Sequence, residues 1–281
     1  MLCFDCPRNC DVDRKQNLGF CREQEDIRIA KIIENFKWEE PCISGKKGAL
    51  AIFFSGCNLR CQFCQNFDIS HIGNGKSYST IDFRRLLESY DMNNFSSIDL
   101  ITPTHFSSKI IESLKGFNCP IPIVWNSSAY EKVEIIERLS EVVDVFLPDF
   151  KYYSQESSYK LSFAKDYFIV ASKAISKMRE MKPKNIFCDG VMQQGVLIRH
   201  LVLPGLVKDS FKILDYIKEN IKEPEISLMS QFTPIKNECE LNRKIYPLEY
   251  KAVVNHALNL GLNSGYIQDF SSANENFIPK F

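Results

Sequence analysis

No apolar run in this chain of 281 residues approaches the ~18–20 residues that a membrane-spanning helix needs. Met1 to Cys10 is too polar and too rich in cysteine to read as a secretion signal. An excess of charge of either sign is also missing, because 35 basic residues face 35 acidic ones. That balance excludes a bulk electrostatic attraction to nucleic acid or membrane, and no basic aromatic stripe offers RNA a platform. There is no low-complexity segment and no internal repeat beyond alternating strands and helices. The expectation is a soluble, cytoplasmic protein that works without nucleic acid or membrane partners.

Cysteine, by contrast, is plentiful: the chain has eleven, and seven lie in two tight groups within the first 64 residues. A disulfide framework belongs to short secreted chains, so metal binding under reducing conditions explains the grouping better. The second group is C-x3-C-x2-C, formed by Cys57, Cys61 and Cys64 directly after the apolar stretch Ala49 to Phe54. Three thiolates on one loop can hold three irons of a cubane cluster and leave the fourth without a protein ligand. That open iron is a reaction site. A zinc ribbon would need a second C-x2-C after a gap of ~15–20 residues, and the nearest later cysteine is Cys119.

From Ala49 onward, short apolar runs alternate with longer amphipathic ones, the pattern of β-α units. Strands are predicted over 49–55, 97–102, 121–126, 143–149, 196–203 and 225–231. Helices are predicted over 80–93, 107–116, 131–141, 155–181 with a break, 209–221 and 247–259. Ile135, Ile136, Leu139 and Val142–Val143 give one helix an inward face. Six such units make an α/β fold, a partial (β/α)6 TIM-like barrel covering 49–281. Residues 1–48 form a small cysteine-rich, metal-binding cap. In such barrels the reactive groups gather at the carboxyl ends of the strands, where the cysteine loop sits.

Several motifs occur in order along the chain: Cys6-Pro7-Arg8-Asn9-Cys10, Gly19-Phe20-Cys21, the run Phe53 to Asn66 that contains the cysteine loop, Thr102-Pro103-Thr104-His105, Leu147 to Tyr152, and Arg199 to Gly205. With them the chain resembles, nearly end to end, the uncharacterised radical S-adenosylmethionine (SAM) proteins related to pyruvate formate-lyase activating enzyme. The resemblance implies a radical SAM barrel carrying a [4Fe-4S] cluster on Cys57, Cys61 and Cys64. SAM would chelate the open iron, and its reductive cleavage would yield a 5′-deoxyadenosyl radical that abstracts hydrogen. A reductant such as ferredoxin or flavodoxin and an oxygen-poor setting are implied too. The substrate, whether a glycine on a partner enzyme, another peptide or a small molecule, is not legible. A competing reading is a non-catalytic iron–sulfur electron-transfer or cluster-carrier protein.

The same resemblance places Phe63 near adenine. Where relatives carry Gly-Gly-Glu for the SAM amino group, this chain has Thr104 and His105. Asn126 and Ser128 stand where activating enzymes often have Asp-Thr-Asn-Gly, and both can hydrogen-bond the SAM carboxylate or ribose. Asp149 and Lys151, two apart on one strand, share a face and would meet the methionine end. Arg199 is a candidate for a carboxylate or ribose, and Gln231 for adenine or substrate. Cys3, Cys6, Cys10 and Cys21 close a coordination sphere of their own, which suits structural Zn(II), a single iron or an auxiliary cluster. Cys42, Cys119, Cys188 and Cys239 read as ordinary thiols.

Overall fold

The computed structural model describes residues 3–234 and 241–270. Cys239 and the chain beyond residue 270 lie outside the described residues. The strands are Ile27–Phe36 (β1), Ala49–Phe54 (β2), Lys76–Tyr78 (β3), Ser97–Ile101 (β4), Ile123–Ser127 (β5), Val145–Pro148 (β6), Ile186–Cys188 (β7), Val191–Leu201 (β8), Glu225–Met229 (β9) and Gly265–Ile267 (β10). The helices are Pro41–Ser44 (α1), Thr80–Glu88 (α2), Ser107–Leu114 (α3), Val133–Leu139 (α4), Gln155–Ser162 (α5), Tyr167–Met181 (α6), Val207–Asn220 (α7) and Pro247–Asn259 (α8).

All six predicted strands and all six predicted helices form. The expected break in 155–181 falls at Phe163, whose left-handed backbone (φ 55°) ends α5. The sheet order is β10-β9-β8-β6-β5-β4-β2-β1-β3, and the pairs from β2 through β10 are parallel. β3 and β10 are opposite edges of this sheet, so it does not close into a barrel. Four strands were not anticipated. Among them β1 lies inside the segment grouped with the cap, yet it pairs antiparallel with β2 as part of the main sheet.

Two faces divide the strand residues with a period of two. On the outer face Leu50, Ile52, Leu100, Trp125, Phe146 and Ile198 join the core under the helices, where Ile136 and Leu139 of α4 also pack. On the inner face Val124, Val145, Leu147 and Leu197 close over Cys42 and Ile43 of α1. The short helix before β2 is thus a plug in the lower part of the curled sheet. The upper part stays open: Phe53 of β2, Ile101 of β4, Arg199 of β8 and Met229 of β9 line one cavity. Among the described residues no helix is long and apolar enough to cross a membrane.

The cap is held by two arginines. Arg8 donates to the carbonyls of Asn58 (2.7 Å), Phe163 (2.5 Å) and Ser162 (3.0 Å), joining the cap to the cysteine loop and the end of α5. Arg14, buried, donates to the carbonyls of Glu23, Gln24 and His105 and lies 3.7 Å from Asp5. Gly56 makes the closest approach possible. Its φ is 76°, and a Cβ there would stand 2.6 Å from the Cys21 carbonyl, so a side chain would push the cap off the loop.

Candidate functional site

The cavity enclosed by the upper sheet measures about 490 Å³, within the usual range of ~300–1,000 Å³ for small-molecule sites. Its lining includes Cys57, Cys61, Phe63 and Cys64 from the loop after β2, and Glu39, Glu40 and Pro41 from the segment leading into α1. Between them stand Asn126, Ser128, Asp149, Lys151, Arg199 and Gln231. These are ten of the twelve residues expected at the cluster and SAM site.

Thr104 and His105 are not brought there. The chain leaves β4 through Thr102, whose φ of 60° turns the following residues behind the sheet. Thr104 donates to Glu131 Oε1 at 3.0 Å, and the His105 ring donates from Nε2 to the Ser55 carbonyl at 2.6 Å. Both residues are 1% exposed. Burial, with Arg14 alongside, pushes the His105 imidazole down to about 3, so it is neutral. His105 anchors the loop at Ser55; Thr102 takes the place at the cavity wall.

Each loop thiol meets a hydrogen-bond donor. Leu59 N–H lies 3.3 Å from Cys57 Sγ, Ser162 Oγ 2.9 Å from Cys61 Sγ, and Ser70 Oγ 3.3 Å from Cys64 Sγ. Ser162 is itself backed by Tyr152, whose hydroxyl lies 2.6 Å away. Donors aimed at cluster sulfurs are one of the ways a protein sets a reduction potential. Burial pushes the Cys64 thiol up to about 12, and Cys57 in the same direction, with neighbouring cysteines adding to both. Coordination to a metal centre offsets that cost, because a bound thiol is deprotonated. Among the described residues no three His, Cys, Asp or Glu side chains converge on a point fit for one metal ion. A cubane spreads its thiolates over separate irons, so the loop's donor set suits it. In the cap, Cys6 and Cys21 are buried, and Cys6 feels the other three sulfurs without the four converging. Burial pushes Cys6 up to about 12 and Cys21 to about 11.

The polar wall is one network. Asp149 accepts from Lys151 Nζ at 2.6 Å and from Arg199 Nε at 2.8 Å. Burial would raise Asp149, but the two cations outweigh it and hold the carboxylate below its ordinary range. Arg199 also donates to Glu39 Oε2 at 2.7 Å and to Asn126 Oδ1 at 2.5 Å. Three of its five N–H donors are therefore met by the protein. Lys151 has Asp149 as its side-chain partner, which leaves two of three ammonium donors for a ligand. Gln231 is tied to Gln268 at 2.8 Å. Ser128 Oγ is buried and has no hydrogen-bond partner, an orphaned hydroxyl on the wall of a cavity that needs a polar ligand to satisfy it.

Two acids in this network were missed. Glu39 carries no local signal in the sequence, since only the fold carries it across to Arg199. Asp99 does carry one: a carboxylate in the apolar strand Ile98-Asp99-Leu100 marks an inward polar position. Asp99 is fully buried, accepts from Asn126 Nδ2 at 3.2 Å, and keeps Oδ1 unpaired. Burial first, and then Glu39, push it well above its ordinary range. Burial lifts Glu39 up to about 7 although Arg199 pulls it the other way. An acid raised on folding binds more protons in the native state, so its contribution to stability falls as pH climbs from the ordinary carboxylate range towards 7. Asp99→Asn is expected to flatten that fall relative to the parent chain, and urea melts between pH 4.5 and 7.5 measure it. Parallel pH profiles for the two chains would remove Asp99 from this account.

A curled parallel sheet that carries C-x3-C-x2-C beyond its first parallel strand, facing a polar cavity, is the arrangement that the resemblance to radical SAM proteins implies. The chain belongs to the same family as uncharacterized protein MJ0674 of Methanocaldococcus jannaschii, with 31% identity over 262 residues, 86% of this chain and 70% of that protein. No family model matches the chain. Among solved structures, SuiB of Streptococcus suis, bound to its precursor peptide SuiA, has the same fold with a TM-score of 0.52 at 12% identity. That match covers 77% of this chain and 48% of SuiB, so the chain spans about half of SuiB's length. Native anSMEcpe with bound AdoMet superposes with a TM-score of 0.49 at 15% identity, over 82% of this chain and 62% of that one.

Proposed function

We propose that this protein is a radical SAM enzyme that cleaves SAM reductively to abstract hydrogen from a protein, peptide or small-molecule substrate. One observation carries the reading: three cysteines of one loop line the same cavity as the Asp149–Lys151 pair and the unpartnered Ser128 hydroxyl. Cys57, Cys61 and Cys64 would hold a [4Fe-4S] cluster, which when bound supplies the electron that splits SAM into methionine and a 5′-deoxyadenosyl radical.

The chain's own residues do the binding and the positioning. Asp149 keeps Lys151 charged and directed, so that the ammonium group can take the SAM carboxylate; Arg199 stiffens Asp149 and keeps two N–H donors beside the cavity. Ser128 supplies a hydroxyl, and Phe63 offers a ring edge-on to Phe232 and Tyr152, with centroids at 5.9 and 6.5 Å. Closure of the lower sheet by α1 excludes water from beneath. The cap cysteines are a second metal site in this proposal, and the electron donor is a carrier such as ferredoxin or flavodoxin in the cytoplasm. A glycyl radical enzyme is one class of substrate among those named.

Anaerobic reconstitution, iron and zinc analysis, reduction with dithionite and assay for 5′-deoxyadenosine test the proposal. Product is expected only with iron, SAM and reductant together. An intact, reduced cluster that leaves SAM uncleaved, with a spectrum unchanged by SAM, would indicate the non-catalytic carrier instead.

A further inference from the structure

The outer rim of the cysteine loop carries a group of arginines that the proposed chemistry does not use. Phe20 of the cap is flanked by two guanidinium groups, Arg8 at 3.9 Å and Arg60 at 5.7 Å from its ring centre. Arg22 lies beside them, exposed, and donates to the His71 carbonyl at 3.2 Å. Among the described residues none of the three is in a salt bridge, whereas Arg14 and Arg28 nearby each have a carboxylate 3.7 Å away. A chain with a formal net charge of +0 has nevertheless left these charges unpaired over the cysteine loop.

The backbone supports a role for these side chains. Arg22 (φ 62°) and Arg60 (φ 54°) both occupy the left-handed region, which residues with a Cβ enter at a cost and which Gly or Asn would fill more easily. Strain of this kind persists where the surrounding structure holds a side chain in a particular direction. Leu18 and Ile72 add exposed apolar surface beside Phe20 and His71. Arginine and aromatic groups with an apolar margin are the composition of a protein-binding patch.

We infer that this rim, built on Arg22, Arg60 and Phe20, is the docking surface for an acidic one-electron carrier protein. The inference rests on the radical SAM reading, which requires an outside donor. The carrier gives up one electron and is oxidised by one; the site held by Cys57, Cys61 and Cys64 receives it. Unpaired cations steer a carrier of opposite charge and fix its orientation, an effect that weakens as salt rises.

The test uses the full-length protein, a flavodoxin and a ferredoxin of acidic isoelectric point, and polyuridylate RNA as probes. Asn suits left-handed backbone, so Arg22→Asn with Arg60→Asn removes the charge without adding strain, and Arg22→Lys with Arg60→Lys retains it. The Asn pair is expected to weaken carrier binding at least about tenfold and to flatten its salt dependence, and the Lys pair to stay near the parent. SAM cleavage driven by dithionite is expected to be the same in the parent and the Asn pair, while cleavage driven by the carrier falls. Binding is read apart from turnover, so absence of 5′-deoxyadenosine with dithionite in the parent would defeat the functional reading and leave the docking measurement standing. Carrier affinity unchanged in the Asn pair, binding of neither carrier to the parent, or arginine-dependent binding of the RNA in their place would overturn the inference.

Discussion

Cys61→Ala is expected to take 5′-deoxyadenosine formation below detection and to lower the iron bound at the loop. Cys61 is 7% exposed, lines the cavity, and has its sulfur within 2.9 Å of the Ser162 hydroxyl. With three thiolates for four irons, loss of one leaves two irons without protein ligands, and among the described residues no cysteine besides Cys57 and Cys64 lines the cavity to replace it. Loss of an outer partner is milder, ~10–100-fold in affinity or activity, so Ser162→Ala calibrates the assay. Removing one sulfur atom costs little packing, and the thermal midpoint of the metal-free chain should change by only a few degrees. Iron content and turnover equal to those of the parent would dismiss Cys61 as a ligand.

Arg199→Met is expected to destabilise the fold by roughly 3–5 kcal/mol, the usual cost of removing one partner from a buried ion pair. Arg199 is 7% exposed and binds Asp149, Glu39 and Asn126 at once, and four carboxylates, Asp149, Glu39, Glu40 and Asp99, lie within its electrostatic reach. Without it, Asp149 keeps Lys151, and Glu39 loses the cation it pairs with. The thermal midpoint should drop by about 10 °C on the scaling for chains of this size. Adding Glu39→Gln and Asp149→Asn should recover much of the loss, because contacting residues do not contribute additively. A single variant within 1 kcal/mol of the parent, read from urea melts, would show that the network is not a support of the fold.

The two variants also mark how far the chain could be read in advance. Cys57, Cys61 and Cys64 lie within eight residues, so spacing alone carries their chemistry. Six of the seven strands joined by parallel pairs were legible because each is a short apolar run, and α4 because Ile135, Ile136 and Leu139 repeat at helical spacing. Asp149 and Lys151 share a face by the period of a strand. Such patterns depend only on neighbours along the chain.

Other features depend on residues far apart in sequence. The Arg199–Glu39 contact joins positions 160 residues apart, and it exists because α1 plugs the lower sheet and carries the preceding glutamate inward. β1 was hidden because its residues are only partly buried, which blurs alternation. Thr104 and His105 were expected at the SAM site from their place after β4, yet one left-handed residue, Thr102, turns them behind the sheet. Arg199, expected at a carboxylate or ribose, lines the cavity as Lys151 does, yet three of its five N–H donors already meet Asp149, Glu39 and Asn126. Covalent spacing places the thiols, and so the type of chemistry is written in the chain; strand register and sheet curl decide which charges meet, and so the tertiary structure selects the groups left free to hold a ligand.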